Sequence, residues 1–454
     1  MRIRVITAVA ALSVVFGLAL SSALGRSFHT SSSPKVSPAA VQTNTQFYAA
    51  ANSVLQTMSK ILDLPEKSSL KESIRTKAQI RAFLANGQKK DESSKQRYAD
   101  QRTLEAFGLI PKGFPLDSFL LNLLTDQVAG LYDPRGKQFF IADWISPEEQ
   151  KPVMAHELTH ALDDQYFHLE KWQKAVRSND DASLARDAVV EGSAVAAMLD
   201  YSLADLHTNV RSMPDIAPFI ETSMAGQMES DPNLAKAPLF IRDELLFPYL
   251  QGAEFTQQVL QKTAGWQDFK SVFQNPPAST QQILHPDLYF AKLQPETVTL
   301  PHLKSAMPRG YVRLDENVVG EFALGEVLKQ FLGPGDAEKY APMWRGDRYA
   351  LFENNNSKHD ILVVLLALDN ERDTQSFFKA YRRLLEKKYG VAKPLAAGPE
   401  FANFSEASVS CAKTRCLSVE GADATISARI EGKLHWAIPR TTDVTLASAA
   451  HPVQ

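Results

Sequence analysis

Residues 154–167, MAHELTHALDDQYF, restrict the fold more tightly than any other stretch of the chain. At about 100° per residue on an α-helix, Met154, Leu158, Ala161 and Leu162 form an apolar stripe that must be buried. His156 and His160 then fall within about 40° of one another, one turn apart, with Glu157 on the flank of their stripe. A fold that buries this helix must also find partners for two imidazoles and a carboxylate.

One ion can satisfy both imidazoles. The spacing H-E-x-x-H is that of zinc-hydrolase helices, in which the glutamate stays off the metal and meets a water held by it. Zinc lowers the pKa of such a water from about 15.7 toward 7, and the carboxylate takes its proton as it attacks a carbonyl. His156 and His160 are therefore candidate zinc ligands and Glu157 a candidate general base. The plainer alternative is a solvated helix face, which Asp163 and Asp164 would extend.

A catalytic zinc typically has three protein ligands, so a buried acid or histidine is expected downstream. Glu191, in AVVEGSAVAAM, sits among Leu184, Ala188, Ala194, Val195 and Met198 on an apolar helical face. A carboxylate buried there is costly unless it is paired or bound to metal. Gly192, Ser193, Ala194, Ala196 and Ala197 keep this helix slim, so it can approach another helix closely and bring the acid to the ion. The alternative for Glu191 is a buried ion pair with an arginine. Asp187, one turn earlier, could ligate in its place or support a ligand, and Asp164, one turn after His160, could accept an imidazole N–H. A metzincin reading fails twice, because Asp163 stands at its glycine position and Tyr166 at its last histidine. His168 reads as an ordinary surface histidine.

The surroundings of the motif can be ordered along the chain. Residues 1–25 hold Arg2 and Arg4 before an uncharged run from Val5 to Gly25, which reads as a signal peptide or, if uncleaved, a signal anchor. Everything after it is expected outside the cytoplasm, periplasmic or extracellular. Residues 26–43 are a Ser- and Pro-rich linker. Residues 44–300 are expected to form a helical domain, with continuous helical periodicity from about 44 to 107 that ends at Gly108. Within QVAGLYDPRGKQFFIADW, Pro134 and Gly136 mark a hairpin turn ahead of the motif. SPEE, from Ser146 to Glu149, has capping-box spacing, and Pro152 is a place where the motif helix could restart. Further helices are expected at 183–203 and from 218 to 263, followed by a loop-rich segment in FQNPPASTQQILHPDLY. Residues 301–440 mix helices with strands such as HDILVVLLAL and an expected hairpin in CLSVEGADATISARIEGKLHWAI, and 441–454 are a tail. The fold class is thus α+β and predominantly helical.

Charge and cysteines narrow the chemistry. The 454 residues carry 49 basic and 52 acidic side chains, a formal charge of -3, which supplies no basic field for nucleic acid. The two cysteines, Cys411 and Cys416, lie close together in CAKTRC and are expected to form a local disulfide in an oxidising compartment. A thiolate metal site would need further cysteines, and there are none.

With its downstream glutamate on a separate helix, His156-Glu157-x-x-His160 resembles the gluzincin arrangement of zinc metallopeptidases. GLYDPRGKQFFI, HELTHALDDQ, VVEGSA and PPASTQQILHPDLY, in that order, are also similar to a group of exported bacterial H-E-x-x-H proteins over roughly residues 75 to 355. The resemblance implies a zincin-like catalytic domain that holds Zn2+ on His156, His160 and Glu191, uses Glu157 as base and cleaves a peptide or protein substrate. It further implies that the strand around Tyr132 could pair with extended substrate by β-augmentation, although a purely structural hairpin would be written the same way. One departure stands out: gluzincins often carry an acid four residues after the ligand glutamate, where this chain has Val195. His285, in ILHPDLY, is a candidate donor to an oxyanion, with a structural role as its alternative. Arg345-Gly346-Asp347, in WRGDRY, reads as a packed turn with no adhesive meaning. From another class altogether comes the rival reading of a non-catalytic envelope protein, whose zinc site is structural or a relic and which acts by binding.

Overall fold

The computed structural model describes residues 44–222 and 232–434. The expected export segment, the linker at 26–43, the tail at 441–454 and the last residues of the expected C-terminal hairpin lie outside the described residues. Among the described residues, no helix is long and apolar enough to cross a membrane.

Helix α1 (Asn44–Ile61) buries Phe47, Ala51, Val54, Leu55 and Met58, which recur at steps of three and four. The helical reading to residue 107 is then corrected. Strand β1 (Lys71–Arg75) intervenes, followed by α2 (Lys77–Asp91) and α3 (Ser94–Phe107). KESIR shows no apolar alternation, so only its parallel pairing with a later strand makes it extended. Thr76 and Gln79 form a capping box that restarts the helix at once. After α4 (Leu116–Gln127), strands β2 (Gly130–Asp133) and β3 (Gln138–Ala142) form the anticipated hairpin, and the small sheet has the order β1-β3-β2.

Helix α5 (Pro147–Phe167) opens on Ser146, whose Oγ donates to Glu149 Oε2 at 2.8 Å. It runs through Pro152 without a restart, although Pro152 stands past the first turn and forgoes one backbone hydrogen bond. Next come α6 (Leu169–Lys174), α7 (Asp180–Leu203) and α8 (Leu239–Lys262). Helix α7 packs against both α5 and α8. Its contact with α8 is backbone to backbone: a Cβ on Gly192 would lie 2.0 Å from the carbonyl carbon of Gly252. The small residues of this helix thus serve a close crossing, as their size implied, although the helix that they admit is α8. Short helices α9 (Trp266–Gln274), α10 (Thr280–Leu284) and α11 (Pro286–Phe290) occupy much of the segment that reads as loop.

The C-terminal region is a seven-stranded antiparallel sheet with helices laid on it. In chain order it comprises β4 (Tyr311–Asn317), α12 (Gly320–Leu332), α13 (Pro334–Tyr340), β5 (Trp344–Asn354), β6 (Asp360–Leu368), α14 (Glu371–Lys388), β7 (Ala396–Ala397), β8 (Phe401–Asn403), β9 (Ala407–Ala412), β10 (Arg415–Glu420) and α15 (Ala424–Glu431). The strand order is β4-β5-β6-β10-β9-β8-β7. The unbroken apolar run of β6 is explained by burial on both faces. Leu362, Val364, Leu366 and Leu368 join the main core, which extends from Phe47 to Cys416, and Ile361, Val363, Leu365 and Ala367 join a second cluster with Val298, Leu303 and Met307.

Two local expectations change here. WRGDRY is strand, not turn, and Asp347 is buried where it accepts from Trp344 Nε1 and the amides of Val319 and Gly320. The hairpin at the C-terminus is β9 with β10, closed by a Cys411–Cys416 disulfide, whereas 424–431 is helical. Asp423 caps that helix by accepting from Ile426 N, and this outweighs the β-prone Thr425 and Ile426.

Candidate metal centre

Helices α5 and α7 bring three ligand atoms together. His160 Nε2 lies 3.0 Å from His156 Nε2, and Glu191 Oε2 lies 3.2 Å from His156 Nε2 and 3.4 Å from His160 Nε2. With zinc bonds to nitrogen and oxygen of about 2.0–2.2 Å, the edges of a ligand tetrahedron are roughly 3.3–3.6 Å. The observed triangle is that size or slightly smaller, so the three residues fit one such ion. They are the group of metal-ligating side chains that converges in this way among the described residues.

The donor chemistry points the same way. Two imidazoles facing each other through Nε2 can share only one proton, and among the described residues Glu191 pairs with the two histidines and not with an arginine. Burial pushes His156 toward its neutral form. Burial also opposes ionisation of Glu191, yet the two imidazoles outweigh it and hold that carboxyl down to about 2. Neutral imidazole and ionised carboxylate are the states in which these groups bind a metal.

Glu157 is fully buried on the flank of the histidine pair. The first residue of β2 rests on it, since a Cβ on Gly130 would come within 3.0 Å of Glu157 Cγ and 2.6 Å of Val153 Cγ1. Only glycine lets the strand approach the helix this closely. Strand β2 is an edge of its sheet, but Gly130, Leu131 and Tyr132 are buried, so the edge is not presented to solvent in this structure. Tyr132 donates its hydroxyl to Asp164 Oδ2 at 2.9 Å, and Leu169 N donates to Asp164 Oδ1 at 2.9 Å. Asp164 therefore ties β2 to the end of α5 and is not an imidazole acceptor. Burial, then the charge of Asp164, pushes the neighbouring Asp163 carboxyl well up.

The remaining candidates lie elsewhere. Asp187 accepts from Gln173 Nε2 at 3.0 Å and is not among the converging ligands. His168 is exposed, with the left-handed backbone of a helix end. His285 Nε2 pairs with Glu321 Oε1 at 2.7 Å and lines a different cleft. One neighbour had no signature in the sequence: Tyr249 of α8 stacks on His156, with ring centroids 6.3 Å apart and planes at 20°. A glycine inside an otherwise helical stretch, Gly252, was the available hint that this helix packs unusually closely.

Comparisons with known proteins bear on other parts of the chain. Residues 309–431 match a family model described as Domain of unknown function (DUF8575), which spans the C-terminal sheet and lies outside the helices of the metal centre. No curated protein shows significant similarity to the chain. A crystal structure from Chloroflexus aurantiacus, described as a candidate hydrolase with a novel fold, aligns over 63% of this chain and 98% of its own at 14% identity and a TM-score of 0.33. At that score the likeness transfers neither fold nor activity. The three-ligand triangle is thus the firmest indication of what the molecule can do.

Proposed function

We propose that the protein is an exported zinc-dependent peptidase of gluzincin type, with His156, His160 and Glu191 as zinc ligands and Glu157 as general base. The observation that carries the reading is the convergence of one carboxylate and two imidazole nitrogens within 3.0–3.4 Å, with no cationic side chain among them. Zinc held there would polarise a scissile carbonyl and acidify a water. Glu157, fixed beside the pair by the close approach of Gly130, would take the water's proton and pass it to the leaving nitrogen. Burial keeps bulk water from screening that carboxylate. Export is supported by the apolar run at 5–25 and by the disulfide.

The test combines elemental analysis of the purified protein with hydrolysis of a broad peptide library, before and after chelation. Wild type should hold zinc and cleave, and lose both with a chelator until zinc is restored. Glu157→Gln should keep the metal while turnover falls by about 10²–10⁴-fold. A Gln variant that cleaves like wild type would falsify the mechanism.

One observation favours a second reading, a structural zinc clamp in a non-catalytic protein. All four residues of the motif constellation and the β2 edge are buried, and closed sites are characteristic of structural zinc. On that reading the wild type binds zinc, cleaves nothing in the library and loses much of its stability on chelation.

A further inference from the structure

Away from the metal, a cleft of about 610 Å³ opens between α8, α12 and α13. Its volume is within the roughly 300–1,000 Å³ of small-molecule sites. Leu246, Phe247 and Leu250 of α8 and Phe322 of α12 make its walls largely apolar. Polar groups gather at its two ends, around Glu321 and Lys329, which stand about 12 Å apart along α12. The Lys329 end is closed on itself: Lys329 Nζ donates to Glu326 Oε1 at 3.2 Å and also to Asp243 of α8, so its charge is already shared between two acids. Glu338 of α13 adds a further carboxylate to the lining.

The other end offers a group that a ligand can reach. His285, from the bend between α10 and α11, lines the cleft with its side chain 40% exposed, and Glu321 is buried beside it. Glu321 Oε1 accepts from His285 Nε2 at 2.7 Å. A carboxylate only accepts, so Nε2 carries a hydrogen whether the ring is neutral or protonated, and Nδ1 is the nitrogen whose state varies. Among the described residues Nδ1 has no hydrogen-bond partner, and it is not one of the side-chain atoms shielded from solvent. The charges that act on the ring are Glu321 from α12 and Arg345 from β5. The bond to Glu321 raises the imidazole pKa above its ordinary value, so the ring titrates close to neutral pH and a ligand meets both of its states.

We propose that this cleft binds an apolar molecule that ends in a hydroxyl group, with the hydroxyl on His285 Nδ1 and the apolar body against Phe247 and Phe322. A hydroxyl donates to Nδ1 of the neutral ring and accepts from Nδ1–H of the protonated one, so it fits both states. An ammonium cannot accept and is repelled by the protonated ring. A carboxylate cannot donate, and it enters a lining in which Asp243, Glu321, Glu326 and Glu338 outnumber Lys329. The site is independent of the peptidase reading.

The test titrates the full chain with phenylbutanol, phenylbutylamine and phenylbutyrate, which share an apolar body and differ in the head group, by calorimetry at neutral pH. The alcohol should bind saturably, and the amine and the carboxylate about tenfold more weakly or not at all. His285→Phe keeps the wall apolar and should weaken the alcohol about fivefold to tenfold. If that variant fails to fold because Glu321 is stranded, His285→Phe combined with Glu321→Leu removes both partners and should weaken the alcohol by the same factor. Gly325→Leu should abolish binding, since Gly325 is in the wall and a Cβ there already meets Ala341 Cβ at 3.4 Å. The proposal is overturned if the alcohol does not bind at millimolar concentration, if the amine or the carboxylate matches it, or if its binding survives the His285 or Gly325 changes intact.

Discussion

Glu191 in the helical region and Glu420 in the C-terminal sheet are both buried carboxylates, and they are satisfied in opposite ways. Glu420 is surrounded by donors of the protein itself: Tyr381 Oη at 3.0 Å, Lys388 Nζ at 2.6 Å and Tyr389 Oη at 3.4 Å. Glu191 faces two imidazoles, of which burial drives His156 toward neutrality, and no lysine or arginine among the described residues. A buried acid with its own full set of donors holds the fold together. One whose neighbours are imidazole nitrogens, groups that can themselves bind a metal, has the donor set to be completed from outside.

The largest expected effect separates the two directly. Glu191→Ala should reduce bound metal to background in elemental analysis, whereas Glu420→Ala should keep the metal and cost about 3–5 kcal/mol of unfolding free energy, because the buried Tyr381 hydroxyl and the half-buried Lys388 ammonium both lose their charged acceptor. If Glu191→Ala still carries one metal ion per chain, the contrast is wrong. Smaller, but large for one methyl group, is Gly192→Ala. Its Cβ would meet the backbone of Gly252 at 2.0 Å, so denaturant unfolding should show a loss at or above the top of the usual range of about 1–3 kcal/mol. Metal affinity should fall too, since the next residue back is Glu191.

The pH dependence sharpens the comparison with the cleft. Glu326 is held up at about 7 by burial and Asp243, against an unfolded value of 4.5, so the folded protein binds the extra proton between those values. Its contribution is full below 4.5 and is lost as pH rises through 7. Glu191 behaves inversely: its contribution is present above 4.5 and is lost as pH falls toward 2. Urea midpoints from pH 4 to 8 should therefore show a downward component of order 1–2 kcal/mol that is absent from Glu326→Gln. The smallest effect is Gly325→Ala in α12, where the new Cβ meets only ordinary contact at 3.4 Å and better helix propensity should add up to about 1 kcal/mol.

Much of the helical region could be read from local pattern. The motif helix was bracketed by its capping box and by the Pro134–Gly136 turn because these are short-range devices, complete within four residues. Strand β1 was invisible because its extended form depends on a partner more than sixty residues away. The strand character of WRGDRY had the same origin, since β5 is held between β4 and β6. The helix at 424–431 was missed for the opposite reason: a single Asp423 cap outweighed two β-prone residues. The cleft could not be anticipated at all. Its carboxylates, Asp243, Glu321, Glu326 and Glu338, come from three helices that only the tertiary structure brings together.

By itself the sequence determined which groups could meet a metal, because the spacing of His156 and His160 and the apolar setting of Glu191 are helix geometry and solvation, both local properties. Tertiary structure alone decided that the three do meet, through the packing of α5 against α7 and the glycine-to-glycine crossing that seats α7 on α8. It also decided that Asp164 and His285 are engaged elsewhere. The reason is range: helix periodicity acts over a few residues, while the choice of partner for a buried charge depends on which distant surface closes over it.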